Sequence, residues 1–365
     1  KYLKKKDPKK NEIIFCSYNL AEMLNVAKNL NYKIKFCDLD KETGFLDIKN
    51  LNKLISKKTK ALVLTNMFNT FQQSKNLKNI LKKKNILLIE DNAIYFDNFT
   101  KEKNKKIFSG SLGDFSIYSF NIMKQLSAFY GGALATNNRE FIDFFNKEEK
   151  LNKDFFLSKL IHQVMIYLIL KIMANKILFK LLFVRLIRLA HKKKILFILK
   201  LFYPSLKFKI ITFPKYYFTK ISNFSLKNIY LQLNDYKQRK ENFAKRKANN
   251  VYYYKTLSKI KSSNIKLIKI SDFDYQNFLD FPILIKNKKE FNNFLLKRGI
   301  EVKYIHYRNC ERIFSSKKFK CVNSQKFEND LVCLPNHKKV TFKYIDKVVS
   351  CIKEFLNENK KTASI

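Results

Sequence analysis

The stretch Tyr118–Asn138, YSFNIMKQLSAFYGGALATNN, sets one lysine between a short apolar segment and a Gly-Gly pair. Lysine by itself says little in a chain of 365 residues with 74 Lys and Arg against 30 Asp and Glu. What singles out Lys124 is its setting. FSIYSF reads as a β-strand with Ser119 near its end, and Gly131-Gly132 permits close backbone approach. Three further apolar runs precede it, EIIFCSY, KALVLTNM and NILLIEDN, separated by Lys-rich segments long enough for helices. Two of those segments, LDIKNLNKLISKK and SKNLKNILKKK, space Leu and Ile at three and four residues and end in Lys, as a helix C-terminus favours. Alternating strand and helix implies an α/β fold with a mostly parallel sheet, whose ligands sit beyond the carboxyl ends of the strands.

The formal net charge of +44 could serve nucleic acid or an anionic surface. The lysines are nevertheless spread along the whole chain, and Asn, Ile and Phe abound while Gly, Pro and Trp are scarce. That is the imprint of an AT-rich coding sequence, and no nucleic-acid partner is expected from charge alone. Six cysteines show no CxxC pair and no metal-ligand spacing with the four histidines, so reduced, mostly buried thiols and no metal are expected. Nothing at the start resembles a signal peptide, and the cytoplasm is the expected compartment.

Four parts are expected: an α/β domain over 1–150 that binds the ligand, a basic apolar helical insertion over 151–212, a connecting long helix within 213–260, and a small α/β domain over 261–365. From Phe155 to Asn234 there is no Asp or Glu. Cations interrupt the apolar runs before any reaches the roughly 20 residues of a membrane span. Two readings stay open there: basic amphipathic helices lying peripherally on the inner membrane face, or helices packed on the protein or on a second subunit. NIYLQLNDYKQRKENFAKRKANNVYYYKTL reads as one long helix. FLDFPILI, KEFNNFLLKRGIEVKYIHY and VTFKYIDKVVSCIKEFL then read as strand, helix ending at Gly299, strand and final helix.

NILLIEDNA places Asp91 at the carboxyl edge of the sheet, where a buried carboxylate needs a cation. With Ser119 and Lys124 on neighbouring strand ends, these are the parts that pyridoxal phosphate requires: an amine for the Schiff base, a carboxylate for the pyridine nitrogen, and a hydroxyl for the phosphate. Each also has a bland reading, as helix N-cap, satisfied hydroxyl or surface cation.

ILLIEDNA, GSLGDFSIYSFNIMKQLSAFYGGALATNN, FLLKRGIEVKYIHY and CLPNHKKVTFKYIDKVVSCI, in that order, resemble the DegT/DnrJ/StrS family of pyridoxal-phosphate-dependent sugar aminotransferases. The resemblance spans nearly the whole chain except 155–212, and its most specific part is Ser-Phe-x-x-x-Lys followed by Gly-Gly and Thr-Asn. It implies the type I fold of pyridoxal-phosphate-dependent transferases, as a homodimer. It implies Lys124 as the Schiff-base lysine, Asp91 as the partner of the pyridine nitrogen, and Ser119 as a phosphate ligand. It also implies that Asn223 reaches the phosphate of the neighbouring subunit. Leu20 stands where the family often has an aromatic residue on the ring, Ile94 where it has Gln or His, and Asn121 where it has His. The early Gly-Thr/Ser-x-Ala phosphate loop does not precede Lys1, so either the chain is an N-terminally truncated member or its phosphate grip is incomplete. The activity implied is transfer of an amino group, from glutamate, to a keto group of a nucleotide-linked sugar for surface polysaccharide or antibiotic. Members that lack the lysine carry out dehydration instead. The alternative is a catalytically impaired member serving as a scaffold or membrane-associated module.

Overall fold

The protein is described by a computed structural model covering residues 1–67, 71–102, 105–122, 124–173, 175–195, 213, 215–270, 279–304, 307–315 and 320–362. Thirteen strands occur among these residues: β1 (Glu12–Cys16), β2 (Tyr18–Asn19), β3 (Lys33–Cys37), β4 (Thr59–Thr65), β5 (Leu87–Asp91), β6 (Phe99–Glu102), β7 (Lys105–Phe108), β8 (Phe115–Ser119), β9 (Gly132–Ala135), β10 (Ile265–Leu267), β11 (Asp280–Ile285), β12 (Arg308–Asn309) and β13 (Leu331–Pro335). The central sheet runs β3-β1-β4-β5-β8-β9. All its pairs are parallel except β8 with β9, where Ser119 faces Gly132. Its middle strands β1 and β4 are buried at every residue, with apolar runs Ile13–Cys16 and Ala61–Leu64 at their centres, as a parallel sheet covered on both faces demands.

The four strands expected from the sequence are present. Two more strands of the central sheet were missed, as was the separate β6–β7 pair. KIKFC forms β3, whose alternating lysines suit an edge strand that must not pair further. GALA forms β9, reversed because the chain turns back within 120–131.

The C-terminal part differs more from expectation. Its sheet is antiparallel, β10-β11-β13. Of the expected strand at 301–307, residues 305–306 lie outside the described residues, and 301–304 carry only one isolated bridge, between Lys303 and Cys333. The third strand of the sheet is Leu331–Pro335. The single long helix is also two helices, Asn223–Asn234 and Tyr236–Leu257. Asp235 divides them because its carboxylate accepts the Gln238 amide at 3.0 Å, capping the second helix at its start.

The insertion contains the helix Leu157–Met173, a short turn at Lys176–Leu178, a π-helical turn at Phe179–Phe183 and the helix Val184–Lys193. The remainder of the expected insertion, 196–212, lies outside the described residues. No helix among the described residues is long and apolar enough to cross a membrane.

One core joins the two lobes: Ile14, Leu62 and Leu88 of the large sheet pack in the same cluster as Leu284, Phe327 and Leu331. Polar groups close the joint. Asp38, at the end of β3, accepts the Ser324 amide and hydroxyl at 2.8 and 2.7 Å and the Asn323 amide at 3.0 Å, capping the helix Val322–Asp330 from across the chain. β12 pairs antiparallel with β2, and Ser17 donates to Asn309 at 2.6 Å. All six cysteines are free and buried, as expected.

Candidate active site at the strand ends

β5 ends in two adjacent carboxylates with different environments. Glu90 is fully buried and met by the backbone of the following loop: the amides of Gly110, Leu112 and Gly113 donate to it at 3.3, 3.0 and 2.6 Å. That loop needs glycine at 110, where φ is +87° and a Cβ would stand 2.0 Å from the Tyr118 hydroxyl. Glu90 is thus satisfied by a structural cradle.

Asp91, pointing to the other face of the strand, is buried with fewer donors. The Ala93 amide reaches it at 3.0 Å, and the Thr65 hydroxyl from the end of β4 donates to it. Asn19 in turn donates to Thr65 at 2.9 Å, so three strand ends align one carboxylate. Burial pushes the Asp91 carboxyl above its ordinary range, opposed by the Ala93 amide, the Lys124 charge and the Thr65 hydroxyl.

Lys124 comes from the loop between β8 and β9. That loop is held by backbone bonds from Phe120 to the Gly131 carbonyl and from Ala128 to the Phe120 carbonyl, at 2.9 and 2.8 Å. Phe120, Leu126 and Ala128 plug into Ile229, and Gln232 exchanges two hydrogen bonds with the Ser127 backbone, at 3.1 and 2.7 Å. Burial and the nearby Lys303 ammonium bring the Lys124 amine from 10.5 down to about 8, while Asp91 and Asp280 pull the other way. The structure therefore brings Asp91 and Lys124 within reach of each other's charge.

Other charges converge from the small lobe and were not foreseen. Asp280 opens β11 and is paired with Lys303, which the bridge to Cys333 fixes at 3.0 and 2.9 Å. Arg246 feels the same Asp280, and its Nε is buried with no hydrogen-bond partner among the described residues. Lys303 acts directly on Lys124, and Arg246 reaches the same cluster through Asp280, whose carboxylate offsets part of the charge of both. Their distance in sequence from Lys124 hides this, and no local signal sets Arg246 apart from the other cations of its helix.

The remaining expected residues surround this pair without an observed contact to it. Ser119 is half-buried at the end of β8. Leu20 is half-buried, its amide bonded to Asn19 at 2.7 Å, so it stands beside the Asn19–Thr65–Asp91 chain. Asn223 is exposed at the first turn of its helix, next to Ile221, which packs over Gly131. Ile94 packs into the shared core. Among the described residues no cluster of three metal-ligating side chains occurs.

Comparison with known proteins places this arrangement. A curated relative, the UDP-4-amino-4,6-dideoxy-N-acetyl-beta-L-altrosamine transaminase of Campylobacter jejuni, is 31% identical over 137 residues, 37% of this chain and 35% of the relative. The aligned part thus spans about a third of that relative's length. The solved structure of Helicobacter pylori PseC, an aminotransferase involved in the biosynthesis of pseudoaminic acid, matches with a TM-score of 0.66 at 18% identity, over 96% of this chain and 81% of that one. An Escherichia coli GDP-4-keto-6-deoxy-D-mannose-3-dehydratase with bound hydrated PLP matches with a TM-score of 0.65 at 17% identity, over 94% and 80%. These likenesses establish the fold, that of the pyridoxal-phosphate-dependent aminotransferases. The pattern of one family matches residues 3–148 and 222–353, leaving out the helical insertion, and on that match the chain belongs to the DegT/DnrJ/EryC1/StrS aminotransferase family.

Proposed function

We propose that this chain is a pyridoxal-phosphate-dependent aminotransferase that moves an amino group, with glutamate as donor, to a keto group of a nucleotide-linked sugar. The observation that carries the reading is the meeting of Asp91 and Lys124 at the carboxyl edge of the sheet. The residues fit the cofactor: a buried carboxylate with its proton affinity raised is relieved by a cationic ring N–H, and an amine with its proton affinity lowered is free to attack an aldehyde. When bound, the cofactor supplies an electron sink for a carbanion at the carbon that bears nitrogen.

The chain's own groups do the rest. Asp91, aligned by Thr65 and Asn19, keeps a proton at the ring nitrogen. Lys124, with a pKa of about 8 instead of 10.5, is mostly charged at pH 7 but has a far larger neutral fraction than an ordinary lysine, and it moves a proton from and to the reacting carbon as general base and then acid. Lys303 and Arg246 offer counter-charge to the carboxylates of the donor. Ser119, together with Asn223 from a second copy in a homodimer, is assigned to the cofactor phosphate, and the exposure of Asn223 leaves it available. Lys124 favours transamination over the dehydration chemistry of members without a lysine, and its pairing with Asp91 weighs against a scaffold role.

The test is to titrate the purified protein with pyridoxal phosphate. The parent is expected to show a new near-visible band that borohydride makes permanent, and that glutamate discharges when borohydride is omitted. Lys124→Ala should show none. A band of equal strength in Lys124→Ala, or none in the parent, refutes the assignment.

A further inference from the structure

The helix Leu157–Met173 lies in the segment that the family pattern leaves out. Leu157, Ile161, Met165, Leu168 and Ile172 recur at four- and three-residue steps, within an arc of about 80° at 100° per residue, and are each between 44% and 68% exposed. An apolar stripe on one face of one helix is more than the scattered exposed leucines of an ordinary surface. The inner side of the insertion is already occupied: Met173 and Ile187 are buried against Leu296 of the small lobe, and Tyr167 meets the ring of Phe129 at 5.3 Å, on the loop that carries Lys124.

The charges of the insertion from Phe155 onward are all of one sign. Lys171, Arg185, Arg188, Lys193 and Lys194 are exposed, with Leu186 and Leu189 exposed among them, and no Asp or Glu occurs from Phe155 to Asn234. A second copy meeting this face would bring like charges together as it buried the apolar side chains. An anionic lipid surface gives the apolar groups an acyl layer and the cations a layer of phosphates.

We infer that the helices of this insertion dock the protein peripherally on membranes rich in anionic lipid, with the Leu157–Ile172 stripe in the interface. The helix that carries the stripe meets the Lys124 loop on its other side, through Tyr167 and Phe129, so docking holds that loop about one helix width from the headgroups.

The test uses the full chain with sedimented vesicles of phosphatidylcholine, with or without phosphatidylglycerol. Because the chain has no Trp, Ile161→Trp provides a unique fluorophore. The expected results are binding to the anionic vesicles only, weakened by salt, with a blue shift of the Ile161→Trp emission. Ile161→Glu/Leu168→Glu should reduce partitioning roughly tenfold or more, since it removes two apolar groups and adds two charges of the wrong sign. Arg185→Gln/Arg188→Gln should weaken binding with both apolar side chains intact. No binding by the parent, no blue shift, or an unchanged glutamate variant overturns the inference. A glutamate variant whose mass by light scattering is lower than the parent's would assign the stripe to a second copy, and also overturns it.

Discussion

Replacing Lys124 with methionine should make the cofactor-free protein more stable at neutral pH while abolishing cofactor attachment. Holding the Lys124 amine at about 8 instead of 10.5 means that its charged form is disfavoured by about 3 kcal/mol in the folded chain. Below pH 8 the amine is charged in both folded and unfolded chains, and the whole penalty opposes folding. Between pH 8 and 10.5 the unfolded chain binds more protons than the folded one, so the stability of the parent rises with pH relative to the variant. Above 10.5 the amine is neutral in both states and the penalty is gone. Lys124→Met removes the titration, so urea denaturation of both apo proteins, followed by circular dichroism at several pH values, should show a gap in favour of the variant. That gap, up to about 3 kcal/mol near pH 7, should close by about pH 10.5. Lys288, also lowered to about 8, is common to both proteins and cancels. A gap that does not change with pH, or a variant less stable than the parent at pH 7, would refute the claim that burial disfavours the charge on Lys124.

Asp91→Asn should leave the apo fold intact, because it removes a buried charge of raised proton affinity, yet lower turnover of the loaded enzyme by roughly 10²- to 10³-fold, the loss expected for a preorganised electrostatic partner; an unchanged rate would separate Asp91 from the chemistry. Gly110→Ala should destabilise by about 2 kcal/mol or more in urea, since φ is +87° and the added Cβ meets the Tyr118 hydroxyl and the Asn92 side chain. A neutral effect would show that the Glu90 cradle yields freely.

The features legible from sequence were those written in one local stretch. The run ending at Asp91 and the run from Ser119 to Lys124 each carry their own signal, an apolar strand with a chemical group at its carboxyl end. The α/β alternation follows from the same runs. What could not be read was set by distant partners. Lys303 and Asp280 come to Lys124 through the joint between lobes, with Arg246 near the same Asp280, and no spacing announces that. Leu331–Pro335 was overlooked as a strand because it is short and ends in proline. Lys33–Cys37 was overlooked because its lysines make an edge strand resemble a loop. The break at Asp235 was legible in retrospect: Asp with Gln three residues later is an N-terminal helix signature, outweighed by the apparent continuity of the helical period.

The pairing of Tyr18–Asn19 with Arg308–Asn309 has a bearing on how the chain matures. It joins segments far apart in the sequence, and the Ser17–Asn309 bond bridges 292 positions. Closing so large a loop is entropically slow and waits for Arg308–Asn309 to leave the ribosome. The early strands emerge first, with their apolar faces and the Asn19–Thr65–Asp91 alignment still open to water. A nascent chain halted before residue 280 would hold Asp91 and Lys124 without Asp280, Lys303 or the small-lobe half of the shared core, so the ammonium that helps to lower Lys124 would not yet be there.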